Sequence, residues 1–183
     1  MNRKLLLVLL LSLVLVSVAT AQEKVRWYSI EEALALTGKE PRVLVIDVYT
    51  DWCGWCKRMD AATFSHPEVA EILNRDFYPV KLDAEGKNDI VLGDRTYKFV
   101  DNGRRGYHEL AAIVTRGRLS YPTVSYVGPR GRVLLVAPGY VEPEQFKVFL
   151  AYFNGDAYQK YPFKVFRDSV YTEPRSARMQ PGF

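Results

Sequence analysis

The only two cysteines of this 183-residue chain, Cys53 and Cys56, are separated by two residues. At this spacing the sulfurs can close a small ring as a disulfide and open it again as a dithiol, and each cycle carries two electrons. A purely structural bridge here would close a very short loop and would constrain the unfolded chain little. The spacing therefore favours thiol–disulfide redox chemistry over a structural cross-link.

Other uses of the cysteine pair stay open at the level of sequence. Zinc would require two further ligands, and the histidines, His66 and His108, lie far from the pair along the chain. Haem attachment would require a histidine directly after the second cysteine, where Lys57 stands. No metal site is therefore predicted. The alternative is a non-catalytic binding module, or a carrier of copper or zinc, that uses the same cysteines.

The elements around the pair indicate which sulfur would react. The nearly unbroken apolar run Val43–Tyr49 predicts a strand covered on both faces, and a helix is predicted from Cys53 to about Ala62. Because a helix N-terminus favours negative charge, the pKa of Cys53 is expected to lie below that of a free thiol. Cys53 is the predicted nucleophile. Cys56, one turn further along, is predicted to be more buried and to act as the resolving thiol.

Capping residues, apolar runs and turn signals predict the other elements. They are a helix from the capping box Ser29/Glu32 through Leu36, a helix from the capping box Ser65/Glu68 to Asn74, a strand Tyr78–Leu82, a helix from His108 to about Val114, a hairpin of Thr123–Val127 and Val133–Val136, and a helix from Pro143 to Phe153. A crossover that contains helices makes the first two strands parallel. The order predicts an α/β fold with a central mixed β-sheet flanked by helices.

The stretch from Val43 to Phe153 resembles the thioredoxin superfamily, in particular its exported thioredoxin-like members with an aromatic residue between the cysteines. The resemblance rests on features that follow the family's order: the strand acid Asp47, the segment Trp52–Lys57, the strand lysine Lys81, the proline Pro122 before a strand, and the glycine Gly139 after the hairpin. It implies a thioredoxin-like fold with Pro122 in cis and an insertion before it, at about residues 85–119.

The resemblance also implies roles for the site residues. The implied catalytic group consists of Cys53, Cys56, Asp47 and Lys81. In it Asp47 would accept the proton of Cys56 while Lys81 tunes the pKa of Asp47, and a plain ion pair of the two is the alternative. Substrate contacts are expected beside the cysteines, around the cis-proline and after the hairpin, at Trp52, Gly54, Trp55, Tyr121, Pro122, Thr123 and Gly139. No cofactor is implied.

Residues 1–21 have the pattern of an export signal. Basic residues precede an apolar run, Leu5–Val18, and a small-x-small cleavage site ends at Ala21. The run is shorter than the ~20 residues that a membrane-spanning helix needs. Cleavage near Ala21 is therefore predicted, with an uncleaved membrane anchor as the alternative. The predicted location is the periplasm or outside the cell, where disulfides persist.

The rest of the chain is predicted to form one thioredoxin-like domain, residues 22–170, with its core at 43–153. Residues 171–183 are predicted to be a flexible tail. The insertion at 85–119 is predicted to select substrates, because long insertions on the active-site side often act as lids or partner surfaces.

The expected partners are cysteine-containing exported proteins and a membrane thiol electron donor. Reduction or isomerisation is expected rather than net oxidation, because the pattern of Asp47, Lys81 and Pro122 follows the reducing members of the superfamily. Trp55 stands where many members have proline, which leaves the direction of electron flow open. With a net charge of only +4 and no dense basic stripe, no nucleic-acid partner is predicted, and a monomer is expected.

Overall fold

The computed structural model describes residues 23–103, 105–155 and 157–171. The predicted export signal, residues 1–21, and the predicted flexible tail beyond Tyr171 lie outside the described residues. Within the described ranges, no helix combines the length and the apolar character needed to cross a membrane.

A mixed sheet forms the centre of the fold. The strands of the described residues are β1 (Leu44–Tyr49), β2 (Tyr78–Asp83), β3 (Ile90–Leu92), β4 (Arg95–Tyr97), β5 (Phe99–Val100), β6 (Tyr107–His108), β7 (Thr123–Val127) and β8 (Val133–Pro138). The central sheet has the order β2–β1–β7–β8. β1 and β2 are parallel, whereas β7 pairs antiparallel with both β1 and β8. The predicted α/β fold, its parallel strand pair and its hairpin are confirmed.

Helices cover both faces of this sheet. Those of the described residues are α1 (Ile30–Thr37), α2 (Gly54–Met59), α3 (Pro67–Asp76), α4 (Glu109–Val114), α5 (Pro143–Phe153), α6 (Ala157–Lys160) and α7 (Phe163–Val165). π-Helical turns at Asp60–Phe64 and Phe166–Val170 continue α2 and α7. The first of these turns extends the helix that carries the cysteines beyond the predicted end at Ala62.

Two helix starts test the predicted capping boxes. At α1 the box is present: the Glu32 N–H donates to Ser29 Oγ at 3.1 Å, and the Ser29 N–H donates to Glu32 Oε2 at 2.8 Å. The box predicted at Ser65 is wrong. The Ser65 hydroxyl donates to the Asp60 carbonyl at 2.7 Å, because the π-helical turn brings that carbonyl within reach. His66 is the N-cap of α3, which starts without a side-chain cap.

β1 is buried on both faces, which explains its apolar run. Leu44, Ile46 and Val48 pack with residues of α1 and α4 on one face. Val45 packs with residues of α2, α3 and α5 on the other face. Because side chains alternate along a strand, Asp47 enters the same layer as Val45. The sheet thereby places a carboxylate beneath the helix that carries the cysteines.

The predicted insertion folds onto the domain as two short hairpins followed by α4. β3 pairs with β4 and β5 with β6, both antiparallel. The His108 side chain is buried and caps α4, because its Nδ1 accepts a hydrogen bond from the Leu110 N–H at 3.2 Å. The His108 N–H donates to the Ala84 carbonyl at 2.7 Å. These bonds tie the insertion to the end of β2.

Candidate active site

The cysteines, the proline and the glycine singled out in the sequence lie at one end of the central sheet. In the register of the sheet, Val48 near the end of β1 pairs with Thr123 at the start of β7. Thr123 in turn pairs with Pro138 at the end of β8. The cysteines after β1, the proline before β7 and the glycine after β8 therefore converge at the same end of the sheet.

Cys53 and Cys56 form a disulfide, and their Cα atoms lie 5.3 Å apart. Cys53 is the N-cap of α2, and its sulfur accepts a hydrogen bond from the Cys56 N–H at 3.0 Å. The two residues are 4% and 3% exposed, so burial does not separate them as the sequence predicted. Their positions in the helix distinguish the two cysteines, because the Cys53 sulfur lies at the helix terminus, where N–H groups favour a thiolate.

Asp47 and Lys81 form an ion pair in the layer of the sheet that faces α2. They are partners in the register of β1 and β2, and Lys81 Nζ donates to Asp47 Oδ2 at 2.7 Å. The same ammonium group contacts the Asp60 carboxylate in the π-helical turn after α2. Asp47 Oδ1 is buried and has no hydrogen-bond partner among the described residues. One oxygen of this carboxylate is therefore open to a proton.

The two partners of this ion pair respond differently to burial. Burial raises the pKa of Asp47 to about 6, against the attraction of Lys81, which lowers it. Burial lowers the pKa of Lys81, but the carboxylates of Asp47 and Asp60 outweigh this and hold it above the ordinary value. Lys81 therefore stays charged, while Asp47 can exchange a proton close to neutral pH.

The Tyr121–Pro122 peptide bond is cis, as the resemblance implied. The Pro122 carbonyl accepts a hydrogen bond from the Gly139 N–H at 2.7 Å, and Thr123 Oγ1 donates to the Ser120 carbonyl at 2.6 Å. Gly139 has a φ of +94°, in the left-handed region that favours glycine. These bonds hold the cis-proline loop against the end of β8.

Trp52 joins the cysteine segment to the insertion and to the cis-proline loop. Its indole N–H donates to Glu85 Oε2 at 3.0 Å, and the Arg105 guanidinium lies 4.1 Å from the ring centroid. Its ring also meets Tyr121 edge-on, with centroids 6.0 Å apart. Burial, together with Glu85 and Asp83, raises the pKa of Tyr121 to about 12, so its phenol stays neutral. Trp52 thus contacts both the insertion and the cis-proline loop.

Trp55 contacts a different segment. Its side chain is 63% exposed, and its ring centroid lies 5.5 Å from that of Tyr140, which follows Gly139. Gly54 lines the same cleft as these two rings. Trp55 is therefore accessible close to the cysteines, and its contact with a substrate stays a prediction.

The sequence did not single out several residues that contact the predicted site, namely Asp60, Glu85, Arg105 and Tyr140. A signal existed for Asp60, which lies four residues after Cys56 and hence one turn further on the same helix. Glu85 and Arg105 reach the site from the insertion. Such contacts between loops follow from tertiary packing and leave no local pattern.

Chemically, this arrangement can carry out dithiol–disulfide exchange. Cys53 at a helix terminus can form a thiolate, Cys56 lies next to it, and Asp47 can take up a proton. Across the described ranges, no group of three or more histidine, cysteine, aspartate or glutamate side chains is placed to hold a metal ion.

Curated proteins resemble part of the chain. Over 78 residues it is 32% identical to spermatogenesis-associated protein 20 of Homo sapiens. This match covers 42% of this chain and 10% of the human protein. Over 81 residues it is 31% identical to an uncharacterized protein of Archaeoglobus fulgidus, covering 44% of this chain and 64% of that protein. The chain therefore spans about a tenth of the length of the human relative.

Solved structures resemble most of the chain at low sequence identity. A DsbH oxidoreductase superposes with a TM-score of 0.54 at 15% identity, covering 78% of this chain and 90% of that one. A thioredoxin from Thermus thermophilus superposes with a TM-score of 0.55 at 19% identity, covering 73% and 90%. A putative disulphide-isomerase from Bacteroides thetaiotaomicron superposes with a TM-score of 0.52 at 23% identity, covering 78% of this chain and 98% of that one. These similarities establish the thioredoxin fold.

A family model matches residues 12–145, which is most of the chain. The family is Thioredox_DsbH, described as "Protein of unknown function, DUF255". The match includes the cysteine pair, the cis-proline loop and the glycine after β8, which the structure brings together at one end of the sheet. The chain is a member of the Thioredox_DsbH family.

Proposed function

We propose that this protein is an exported thiol–disulfide oxidoreductase that reduces or isomerises disulfides of other exported proteins. The observation that carries the proposal is the position of the Cys53–Cys56 disulfide at the start of α2. The pair lies at the end of the sheet where cis-Pro122 is found, and Asp47 is buried in the layer facing α2. This arrangement supports Cys53 as the nucleophile, Cys56 as the resolving thiol and Asp47 as the proton acceptor.

The reaction is a pair of thiol–disulfide exchanges. In the reduced protein the Cys53 thiolate attacks one sulfur of a substrate disulfide, forms a mixed disulfide and releases the other substrate sulfur as a thiolate. Cys56 then loses its proton and attacks the Cys53 sulfur, which releases the second substrate thiolate. The substrate gains two electrons, and the protein ends with the Cys53–Cys56 disulfide that the structure contains.

Asp47 has a role in the second exchange. The thiol of Cys56 must be deprotonated before it can attack, and a base with a pKa near the working pH is best suited to this. Burial raises the pKa of Asp47 to about 6, which brings it into that range. The Lys81 ammonium group, 2.7 Å from Asp47 Oδ2, lowers the pKa of Asp47 and so keeps it from rising further.

Export and the partners are part of the same proposal. The apolar run Leu5–Val18 and the small residues that end at Ala21 support export to the periplasm or the cell exterior. An exported reductant must be reduced again after each turnover, so a membrane thiol donor is its natural source of electrons. The protein would act as a monomer on cysteine-containing exported proteins.

Trapping of the intermediate tests the proposal. The purified full-length Cys56→Ser variant, reduced and mixed with a small disulfide-bonded protein of known sequence, should accumulate a one-to-one adduct through Cys53. Dithiothreitol should cleave this adduct by reducing its disulfide, and the Cys53→Ser variant should not form it. The wild-type chain should reduce the same substrate repeatedly with dithiothreitol as electron source. Absence of both adduct and turnover, with copper or zinc bound through the cysteines instead, would establish the carrier alternative.

A further inference from the structure

An apolar pocket, named the insertion pocket, lies between the insertion and the end of the central sheet that is opposite to the cysteines. Its volume is about 410 Å³, within the ~300–1,000 Å³ of small-molecule sites. The sheet contributes Leu44 at the start of β1 and Val127 at the end of β7, which are partners in the strand register. Because the cysteines follow the other end of β1, this pocket is separate from the candidate active site.

Four segments surround the insertion pocket. Residues of α1, of α4, of the β3–β4 hairpin and of the β7–β8 turn all line it. Leu92 and Tyr97 of the hairpin pack against the same apolar cluster as Leu44 and Val114. Because folded interiors are close-packed, a gap of this size between packed segments is unusual. The insertion therefore covers an apolar space that its own side chains do not fill.

The deep part of the pocket is almost entirely aliphatic. Among the described residues of its buried lining, only Thr37 is polar, and its hydroxyl already donates to the Leu34 carbonyl at 2.7 Å. A polar ligand such as a sugar would lose its hydrogen bonds to water there without replacement, whereas an apolar chain would lose none. The pocket therefore fits an apolar chain. The buried aliphatic residues of the lining are Ile30, Leu44, Ile46, Leu110, Val114 and Val127.

The mouth of the pocket carries a positive charge. Arg130 of the β7–β8 turn is exposed, lines the pocket and makes no ion pair with any of the described residues. The Arg95 guanidinium lies 4.6 Å from the ring centroid of Tyr97, which also lines the pocket. Carboxylates such as Glu31 and Asp94 adjoin lining residues along the chain, but the described lining itself contains none. An anionic group at the mouth is therefore attracted.

We propose that the insertion pocket binds a medium-chain carboxylic acid, with the apolar chain in the buried part and the carboxylate at Arg130. This site goes beyond the redox function and depends on neither cysteine. Each methylene group that enters the buried part should strengthen binding about threefold, because it leaves water for an aliphatic lining. The exposed guanidinium adds a smaller factor, since ion pairs at a surface contribute little.

A series of acids that differ in length tests the apolar part of the proposal. Hexanoate, octanoate and decanoate, each below the concentration at which it forms micelles, are titrated calorimetrically into the full-length oxidised chain. We expect one site per chain and an affinity about 80-fold higher for decanoate than for hexanoate, from four added methylene groups. Equal affinities for the three acids, or the absence of saturable binding, would overturn the proposal.

Matched variants test whether the acid binds in this pocket. Ile113 at the mouth and Val91 outside the lining are both exposed apolar residues. Ile113→Glu should weaken decanoate binding about tenfold, because it replaces an apolar contact by a like charge, whereas Val91→Glu should not change it. Arg130→Glu should weaken it about fivefold, less so in added salt. Arg132→Glu should weaken it less than about twofold, because Arg132 lines a different cleft.

Decyltrimethylammonium separates loss of the charged partner from loss of the fold. It has the same chain length as decanoate but a cationic head group, so it should bind Arg130→Glu about fivefold more tightly than the wild-type chain. Equally strong decanoate binding by the wild-type chain, Ile113→Glu and Arg130→Glu would overturn the proposal. That result would mean that the acid binds elsewhere, for instance on the apolar run Leu5–Val18.

Discussion

Asp47 and Lys81 face each other across the parallel strands β1 and β2, with Lys81 Nζ 2.7 Å from Asp47 Oδ2. The two side chains are buried to different degrees, with 2% of Asp47 and 22% of Lys81 exposed. Because burial raises the pKa of Asp47 to about 6 despite this contact, the desolvation cost of the carboxylate exceeds the attraction of the ammonium group. The pair therefore keeps an acid ready for proton exchange at the expense of stability.

The stability cost can be measured with Asp47→Asn. The pKa of Asp47 rises from 3.8 to about 6 on folding, so the folded state loses stability as pH rises through this interval. A shift of about two units corresponds to about 3 kcal/mol. Asp47→Asn should therefore raise the free energy of unfolding by up to this amount above pH 6 and should change it little below pH 4. Urea unfolding of the oxidised chain at both pH values measures the difference.

An exposed carboxylate provides the control for that experiment. Asp94, in the turn between β3 and β4, is exposed, so Asp94→Asn should not change stability in a pH-dependent way. A stabilisation by Asp47→Asn that is equal at pH 4 and pH 7 would show that ionisation of the buried acid is not its cause.

The same substitution tests the kinetic role of Asp47. If Asp47 takes the proton of Cys56, Asp47→Asn should slow the decay of the mixed disulfide roughly 100-fold at neutral pH, the lower end of general-base contributions. Formation of the mixed disulfide by Cys53 should change much less. Rapid-quench alkylation resolves the two steps, and equal slowing of both would contradict a role specific to Cys56.

Trp52 should hold the insertion against the active site. Trp52→Ala removes the hydrogen bond to Glu85, the contact with Arg105 and the edge-on contact with Tyr121. Together these are worth about 1–2 kcal/mol, so local opening of the β5–β6 connection should become about 5- to 30-fold more frequent. Native-state trypsin cleavage in that connection reports the opening.

Trp55→Ala is the matched control, because Trp55 is similarly exposed but contacts Tyr140 instead of the insertion. It should leave the rate of trypsin cleavage in the β5–β6 connection unchanged. An equal acceleration by both variants would mean that the insertion is not specifically attached through Trp52.

Gly106 is expected to be indispensable for the β5–β6 hairpin. Its φ is +71°, and a Cβ there would clash with the Phe99 ring and lie 2.6 Å from the Val100 carbonyl oxygen. Gly106→Ala should therefore destabilise the chain by about 2–4 kcal/mol, from the left-handed conformation and the overpacking together. Gly93 has a φ of +60°, and a Cβ there would have no neighbour within 4 Å. Gly93→Ala should therefore lower the free energy of unfolding by only about 1 kcal/mol. Equal urea midpoints for the two variants would contradict the clash.

The parts of this fold that sequence patterns predict are those with strong local or periodic signals. The apolar run of β1, the capping box of Ser29 and the proline at the start of α5 each specify an element without help from distant residues. The pairs β3–β4 and β5–β6 were not predicted, because strands of two or three residues carry no clear alternation. They exist because turns and contacts with the domain hold them.

The candidate site divides in the same way. Cys53, Asp47 and Pro122 are recognisable because their spacing follows that of the thioredoxin superfamily. Tyr140 and Arg105 reach the site only through the fold, one after a glycine at the end of β8 and the other from the insertion. The residues closest to the reaction were therefore accessible from sequence, whereas those that surround it were not.

We expect Cys53 and Cys56 to form a reversible redox couple, which an equilibrium titration of the full-length chain in thiol–disulfide buffers would measure. Alkylation followed by mass measurement reads the fraction reduced. We expect one two-electron transition, with a tenfold change in ratio per ~30 mV, at a potential below about −200 mV. A transition clearly above that value would make the protein an oxidant rather than a reductant. A pair that shows no reversible transition would rule out redox turnover by Cys53 and Cys56.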